Sequence, residues 1–289
     1  MHPRLSAAKK ILFVKKLLAI LIIICCLTLA TAAHDGLHEQ ILAVTEQIVK
    51  DPTNAALYLK RAELYRLHAD WKNSENDFNR VEKLDGDLTA VDLGRGKLWF
   101  DAKRFAKAKR SLEKYLAREP QSFEGVLTMA RVCAKLRQTG AADKYFSEAI
   151  ALAPRDSAEI YLERAETLIS ANRFSEALNG LDEGLGKFPN LVTLQTAAID
   201  LEVKRRNYTG ALTRLDKLTA AAERKETFLL KRGEILRRAN RPCEARKSLS
   251  EAKAGFESYT GFRRSVRAVR EQIARLEKLL NSIPAKSCR

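Results

Sequence analysis

Small and large apolar residues return along most of this chain with a period of about 34 residues, which predicts repeated pairs of helices. One column of small residues lies in the first helix of each pair, with Ile199 as its exception: Ala62, Gly96, Ala130, Ala165 and Gly233. A second small column lies in the second helix: Ser74, Ala108, Ala142, Ala177, Ala211 and Ala245. A large apolar residue follows four places later: Phe78, Leu112, Phe146, Leu181, Leu215 and Leu249. Small residues let two helices cross closely, and the large residue fills the space beside them. Each pair also has an apolar face that only a neighbouring pair can bury.

Prolines and aromatic residues mark the ends of these predicted helices. Because proline cannot continue a helix, it predicts the stop after a second helix at Pro52, Pro120, Pro154 and Pro189. An aromatic residue opens the second helix at Trp71, Phe105, Phe174 and Tyr208. The period divides residues 55–258 into six repeats, which start at Ala55, Thr89, Phe123, Ala158, Val192 and Glu226.

The small, aromatic and proline columns together resemble the tetratricopeptide repeat, a helix–turn–helix unit. The resemblance covers Ala55 to about Ser258 and implies an all-α fold, a right-handed superhelical solenoid of about six repeats between capping helices. The sequence departs from the family in one column, where leucine is preferred and arginine stands instead: Arg61, Arg95, Arg164 and Arg232. With the leader at its start, the chain resembles an exported bacterial tetratricopeptide-repeat protein.

Helical patterns outside the repeats predict a cap at each end of the stack. Residues 33–54 carry apolar residues at helical spacing: Leu37, Ile41, Val44 and Ile48. Residues 259–289 form a basic C-terminal cap and tail, with a heptad pattern of Phe262, Val266, Val269, Ile273, Leu276 and Leu280. A coiled coil that joins two copies of the chain is the alternative interpretation of this pattern.

The first 32 residues are predicted to be a secretory signal peptide. Residues 1–16 carry five basic residues and no acid, an apolar stretch runs from Leu17 to Leu29, and small residues follow. We expect an exported protein, periplasmic or extracellular, whose mature form begins at Ala33 or His34. An inner-membrane anchor formed by residues 11–33 is the alternative.

The sequence contains few groups that could support catalysis or bind a metal. It has no phosphate-binding glycine loop, no nucleophile elbow and no paired cysteine or histidine spacing of a zinc site, so we predict no enzyme and no cofactor. His34 and His38 lie four residues apart and are a weak metal candidate, with a helix N-terminus capped by Asp35 as the alternative. Cys243 and Cys288 can form a disulfide if the terminal helix folds back, or remain two free thiols.

Charge is distributed unevenly between the two ends of the mature chain. Residues 33–223 contain 29 basic and 29 acidic residues, whereas residues 224–289 contain 18 basic and 7 acidic residues, a net charge of +11. The basic patch is densest at Arg237, Arg238, Arg241, Arg263, Arg264, Arg267 and Arg270. Such a block attracts anionic surfaces. Nucleic acid is not expected as a partner, because we expect an exported protein and because few aromatic residues lie among these basic residues.

The resemblance implies that the first helix of each pair lines a concave groove. The places that face the groove carry Leu59, Leu93, Leu127, Leu162, Thr196 and Leu230. Charged residues stand one turn away at Glu63, Lys97, Arg131, Glu166, Asp200 and Glu234. These residues can hold an extended or helical peptide; packing of the leucines between adjacent first helices is the alternative.

Two functions therefore follow from the sequence. The first is a non-enzymatic scaffold of the periplasm or cell envelope that binds a protein or peptide in its groove. The alternative is an electrostatic adaptor that docks on an anionic membrane or envelope polymer through the basic C-terminal block. These differ in their expected response to salt, because only the second depends mainly on screened charges.

Overall fold

The structure of the chain is a computed structural model that describes residues 36–154, 157–283 and 288, and regular structure in these residues is helical throughout. The all-α class predicted from the sequence is confirmed. The expected signal peptide, residues 1–32, and the alternative anchor, residues 11–33, lie outside the described residues. Among the described residues, no helix combines the length and the apolar content needed to cross a bilayer.

The helices follow one another as pairs joined by short turns. The first helices of the six pairs are α2 (Ala55–Leu67), α4 (Leu88–Asp101), α6 (Phe123–Lys135), α8 (Glu159–Ser170), α10 (Val192–Lys204) and α12 (Glu226–Arg238). The second helices are α3 (Trp71–Lys83), α5 (Phe105–Arg118), α7 (Thr139–Leu152), α9 (Phe174–Lys187), α11 (Tyr208–Ala221) and α13 (Pro242–Glu257). Outside the pairs lie α1 (36–50), α14 (Gly261–Ser265) and α15 (Arg267–Asn281). The chain divides into an N-terminal unit, Met1–Gln138, and a C-terminal unit, Thr139–Arg289.

The turn inside each pair repeats one backbone conformation. A residue with φ between 57° and 61° follows the first helix at Ala69, Lys103, Arg137, Asn172, Arg206 and Asn240. The next residue donates its backbone N–H to a carbonyl five residues earlier, as Asp70 does to Tyr65 at 2.8 Å. This is the Schellman bond that ends a helix with a left-handed residue. The repeat is therefore present in the backbone as well as in the side chains.

The small columns are the points at which paired helices cross. Ala62, Ala108 and Ala245 have no exposed surface, and Leu112 and Leu249 are equally buried. A Cβ atom added to Gly96 would lie 2.6 Å from Leu112 Cδ2, and one added to Gly233 would lie 2.5 Å from Leu249 Cγ. The large residue of each second helix thus fills the space that the small residue leaves open.

The N-terminal unit uses α1 to cover its first pair. Ile41, Val44 and Ile48 of α1 are buried in one core with residues of α2, α3 and α4, among them Phe78 and Leu98. Leu37 packs against the same core. An apolar face that the first pair cannot bury by itself is therefore covered by a helix from outside the repeats.

The C-terminal unit ends with α15, which packs on α12 and α13. Leu276 is fully buried, and Val269, Ile273 and Leu280 pack against the core of this unit. These residues are used within the chain, so they are not free to form the seam of a coiled-coil dimer. The predicted heptad pattern was wrong at its start, because Phe262 is 86% exposed and Val266 is 36% exposed. Val266 has an extended backbone, φ −60° and ψ 130°, which separates α14 from α15 and interrupts the helical register.

Cys243 and Cys288 form a disulfide, with their Cα atoms 5.1 Å apart. It joins the first turn of α13 to the end of the chain. Arg246 supports the same arrangement by donating hydrogen bonds to the backbone carbonyls of Leu280, at 3.2 Å, and Ile283. Cys133 is buried and free, and burial raises the pKa of its thiol. Cys133 therefore behaves as a small apolar residue.

Candidate functional site

The arginines that replace leucine in the first helices make ion pairs with second helices. Arg61 donates two hydrogen bonds to Asp77, at 2.7 and 2.8 Å, and these bonds raise the pKa of Arg61. Arg164 contacts Asp143 at 2.7 Å, and Arg232 contacts Asp216 at 3.0 Å. The two-point bond of Arg61 to Asp77 fixes the position of α2 relative to α3. This column is structural and offers no free charge to a ligand.

Arg95 belongs to the same column and contacts two carboxylates. It donates to Glu82 at 2.5 Å and lies 3.3 Å from Glu75. Burial raises the pKa of Glu75 although Arg95 opposes the effect, and Glu75 Oε2 has no hydrogen-bond partner among the described atoms. Glu75 is therefore a partly desolvated carboxylate held by one arginine.

The groove leucines differ in how much surface they offer. Leu127 and Leu230 are buried, with 8% and 4% exposure. Leu59, Leu93 and Leu162 are half-buried, and Leu59 packs against the core of the N-terminal unit. Much of their apolar surface is therefore used between helices, and what remains for a partner is concentrated at the half-buried positions.

Two of the six charged positions predicted beside the groove make ion pairs between neighbouring first helices. Lys97 of α4 contacts Glu124 of α6 at 2.6 Å, and Asp200 of α10 contacts Lys231 of α12 at 2.7 Å. The remaining charged positions have other surroundings: Glu63 pairs with Arg66 at 2.8 Å, Glu166 is exposed and Arg131 is half-buried. These two ion pairs join α4 to α6 and α10 to α12.

One cavity collects several groove residues in the C-terminal unit. It has a volume of about 400 Å³ and lies among α10, α12 and α15. Its lining is Thr196, Asp200, Val203, Thr227, Phe228, Leu230, Lys231, Glu234, Ile235, Arg238, Gln272 and Arg275. We call it the C-terminal cavity. The sequence indicated Thr196, Asp200, Leu230 and Glu234, but it did not indicate that α15 would supply a wall.

The C-terminal cavity has an apolar floor and a charged rim. Val203 and Phe228 pack against the core of the C-terminal unit from the cavity side. Glu234 pairs with Arg275 of α15, and burial raises the pKa of Glu234 against the attraction of Arg275, Arg238 and Lys231. Arg238 is exposed at the rim. Apolar area combined with a few fixed charges is typical of a site that binds a peptide side chain.

The residues of the basic patch do not form one continuous cluster of free charges. Arg241 hydrogen-bonds Glu244 at 2.6 Å, Arg267 hydrogen-bonds Glu271 at 2.7 Å, and Arg263 lies 5.4 Å from the ring of Tyr259. Arg237, Arg238 and Arg270 are exposed. The side chain of Arg264 lies outside the described residues. The patch thus combines ion-paired and exposed arginines on α12, at the start of α13, and on α14 and α15.

Only one of the two histidines predicted as a metal candidate lies within the described residues. His38 is exposed on α1, and His34 lies outside the described residues. Within residues 36–154 and 157–283 and at 288, no three His, Cys, Asp or Glu residues lie close enough together to hold a metal ion. His38 therefore has no further ligands in the part of the chain that the structure describes.

Comparison with solved structures places this arrangement among tetratricopeptide-repeat proteins. YrrB, a tetratricopeptide-repeat protein with an unusual peptide-binding site, is 21% identical, with 62% of this chain and 91% of that chain covered and a TM-score of 0.50. PilW, a widely conserved type IV pilus biogenesis factor, is 20% identical, with 67% and 90% covered and a TM-score of 0.52. The C-terminal part of a repeat protein from Cytophaga hutchinsonii is 13% identical, with 87% and 93% covered and a TM-score of 0.55.

These likenesses show the fold alone, because the identities are low. No protein-family model and no curated protein matches the sequence. The described residues nevertheless have the fold of the solved repeat proteins.

Proposed function

We propose that this chain, which has the tetratricopeptide-repeat fold, is a non-enzymatic scaffold that binds a protein or peptide in the groove lined by its first helices. The C-terminal cavity is the observation that carries the proposal. Two consecutive first helices, α10 and α12, form it together with α15, and it contains predicted groove residues such as Asp200.

The chemistry of the C-terminal cavity suits a short segment of a partner chain. An apolar side chain of the partner would lie against Phe228 and Val203, where its burial contributes about 1.5–3 kcal/mol. The pairs Asp200–Lys231 and Glu234–Arg275 hold charges at fixed places on the rim, which gives register to a bound segment. YrrB is described as having a peptide-binding site, and its fold is a precedent for this use of the groove.

The cell envelope is the proposed location. The predicted leader supports it, with a basic start, an apolar stretch and small residues before Ala33. N-terminal sequencing of the protein from its host should begin at Ala33 or His34. A sequence that begins at Met1 would contradict cleavage and favour the anchored form.

Site-specific photo-crosslinking tests the groove directly. A photoreactive amino acid at Thr227, an exposed residue that lines the C-terminal cavity, should crosslink a partner in envelope preparations. The same amino acid at Thr209, an exposed residue of the second helix α11, is the control. Crosslinks at position 209 with none at position 227 would refute groove binding.

A matched pair of charge reversals tests the contribution of the rim. Arg238 and Arg237 are exposed neighbours on α12, and only Arg238 lines the C-terminal cavity. Arg238→Glu should reduce crosslinking from position 227 about tenfold, because the rim charge is reversed. Arg237→Glu changes the net charge equally and should leave crosslinking unchanged. Equal loss in both variants would show that net charge, and not the cavity, attracts the partner.

A further inference from the structure

One stretch of the basic C-terminal region has no compensating acid within it. Residues 258–270 contain four arginines and neither Asp nor Glu; we call them the basic segment. The basic segment includes α14 and the first turn of α15. Because no acid lies among these arginines, they raise a positive potential that extends over a Debye length, about 8–10 Å at physiological salt.

A large apolar side chain lies exposed in the middle of the basic segment. Phe262 is 86% exposed, the largest fraction among the exposed large apolar residues of the described chain. Val266 is 36% exposed beside it. The left-handed φ of +57° at Gly261 and the extended backbone at Val266 set α14 apart from the helices on either side. An exposed aromatic side chain among cations is available for a contact outside the chain.

The basic segment is nevertheless fixed to the body of the C-terminal unit. Phe256 is buried in the core, and its ring meets the ring of Tyr259 edge-on with centroids 5.7 Å apart. The guanidinium groups of Arg224 and Arg263 both lie 5.4 Å from the centroid of Tyr259. Tyr259 thus contacts Arg263 of the basic segment and Arg224 outside it, while Phe262 lies outside the core. The segment is therefore held in place through Tyr259, and it presents both positive charge and the exposed ring of Phe262 to solvent.

Part of the charge near this surface is compensated, but only weakly. Glu223 and Glu226 line the polar cavity that Arg224 and Arg263 also line. Arg267 pairs with Glu271, and both side chains are mostly exposed, at 87% and 64%. Exposed ion pairs contribute little to stability and are readily exchanged for another anion. Arg270 is exposed on the same helix.

We propose that the basic segment docks on an anionic lipid bilayer. Phe262 enters the boundary between headgroups and acyl chains, and Arg263, Arg267 and Arg270 lie against the headgroup phosphates. A soluble polyanion would need the arginines alone. A bilayer offers negative charge and an apolar layer directly beneath it, which matches both features of the segment. This docking does not depend on the C-terminal cavity, since no residue of the basic segment lines it.

Vesicle co-sedimentation tests the proposal. The form used in the experiment begins at Ala33, because the apolar leader would itself bind lipid. No core residue is lost, since the N-terminal core begins at Leu37. This form should bind vesicles of phosphatidylglycerol and phosphatidylcholine, bind pure phosphatidylcholine weakly, and dissociate as salt rises. Phe262→Ala should weaken binding about tenfold, because the buried aromatic area is lost. Arg263→Glu should weaken it at least about tenfold, because two units of charge change at the surface.

Matched controls separate the segment from general effects of charge and hydrophobicity. Leu67→Ala removes another exposed apolar side chain, 56% exposed, and Arg110→Glu reverses another exposed arginine. Both should bind vesicles as the unmodified protein does. All variants are first compared by thermal unfolding, and Phe262→Ala should be unchanged because its side chain is outside the core.

Three results would overturn the proposal. One is the absence of binding to anionic vesicles at low salt. Another is a Phe262→Ala variant that folds and binds vesicles as well as the unmodified protein. The third is binding to soluble polyglutamate as tight as binding to vesicles and equally dependent on Arg263, which would assign the surface to an acidic polymer or protein.

Discussion

At the scale of residues, the small columns determine where helices cross. Ala108 and Ala177 of the second helices have no exposed surface, and a Cβ atom added to Gly96 or Gly233 of the first helices would collide with Leu112 or Leu249. A crossing that accepts only a hydrogen atom or a methyl group fixes the distance between helices. Side-chain volume at these columns therefore matters more than apolar character alone.

Ala108→Leu should destabilise the protein by about 1–3 kcal/mol, because the larger side chain overpacks the crossing of α4 and α5. Ala106→Leu on the exposed side of the same helix is the control and should change the free energy of unfolding by less than about 0.5 kcal/mol. Urea unfolding followed by circular dichroism measures both. An Ala108→Leu variant as stable as the control would mean that the register of the crossing is wrong.

Lys103→Gly should stabilise the protein by roughly 0.5–1 kcal/mol. Lys103 has φ 57° in the turn between α4 and α5, a conformation that is unfavourable for a residue with a Cβ atom. Lys114→Gly is the control, because it removes the same charge from the exposed middle of α5 and should destabilise by about 1 kcal/mol. Opposite signs in urea unfolding are expected, and a loss of stability in both variants would contradict the strain at position 103.

Glu75 should make the stability of the N-terminal unit depend on pH. Burial raises the pKa of its carboxyl group above the ordinary value of a glutamate, so the native state binds this proton more readily than the unfolded state. The favourable contribution is complete below the ordinary pKa and is lost as pH rises through the native pKa. Glu75→Gln should therefore be more stable than the unmodified protein at pH 7, with no difference below pH ~4.

Chemical unfolding at both pH values checks this expectation for Glu75. Glu119→Gln, at an exposed position, is the control and should show no such difference. If Glu75→Gln is less stable at pH 7, the attraction of Arg95 at 3.3 Å outweighs the cost of burial.

The residues also show what could be predicted from the sequence and what could not. The buried columns were readable because residue size and period are visible in the sequence itself. The ion pairs of the arginine column were missed, although a spacing of 16 residues joins Arg61 to Asp77 and Asp216 to Arg232. That spacing was the available signal. The aspartate of each pair lies on a second helix and the arginine on a first helix. The arginine column alone therefore does not indicate which acidic residue is the partner.

At the scale of elements, α15 has the role that the sequence predicted least completely. The sequence predicted an apolar terminal helix but could not decide between a cap and a dimer, because an apolar stripe does not name the surface that covers it. In the structure Ile273 and Leu276 are covered by the last pair, and Gln272 and Arg275 become a wall of the C-terminal cavity. The disulfide was also undecided, since sequence gives no distance between cysteines.

Thiol titration tests the attachment of this terminal element. The protein from Ala33 contains three cysteines. Denatured without reductant it should titrate one thiol, Cys133, and three after reduction. Cys133→Ser should then titrate none without reductant. Reduction should lower the free energy of unfolding of the C-terminal unit by about 2–4 kcal/mol. Three thiols in the unreduced protein, purified from its host, would contradict the Cys243–Cys288 bond.

At the scale of the whole molecule, the surplus positive charge is concentrated towards the end of the C-terminal unit. Residues 33–223 are electrically neutral, and the net charge of +11 is carried by residues 224–289. The C-terminal cavity and the basic segment both lie in this unit. The helix pairs before residue 224 have the same small and large apolar columns but no surplus charge. A stack of helix pairs can be extended pair by pair while one end differs in charge from the rest.

Deletion of one complete repeat tests the central claim, a row of helix pairs each completed by its neighbour. Removal of residues 89–122 takes out one period of 34 residues, and removal of residues 89–105 takes out half of one. The first variant should keep its helical content and unfold cooperatively at a lower urea concentration, because equivalent columns meet again. The second should lose cooperative unfolding of the N-terminal unit. Collapse of both variants alike, or equal tolerance of both, would contradict the account.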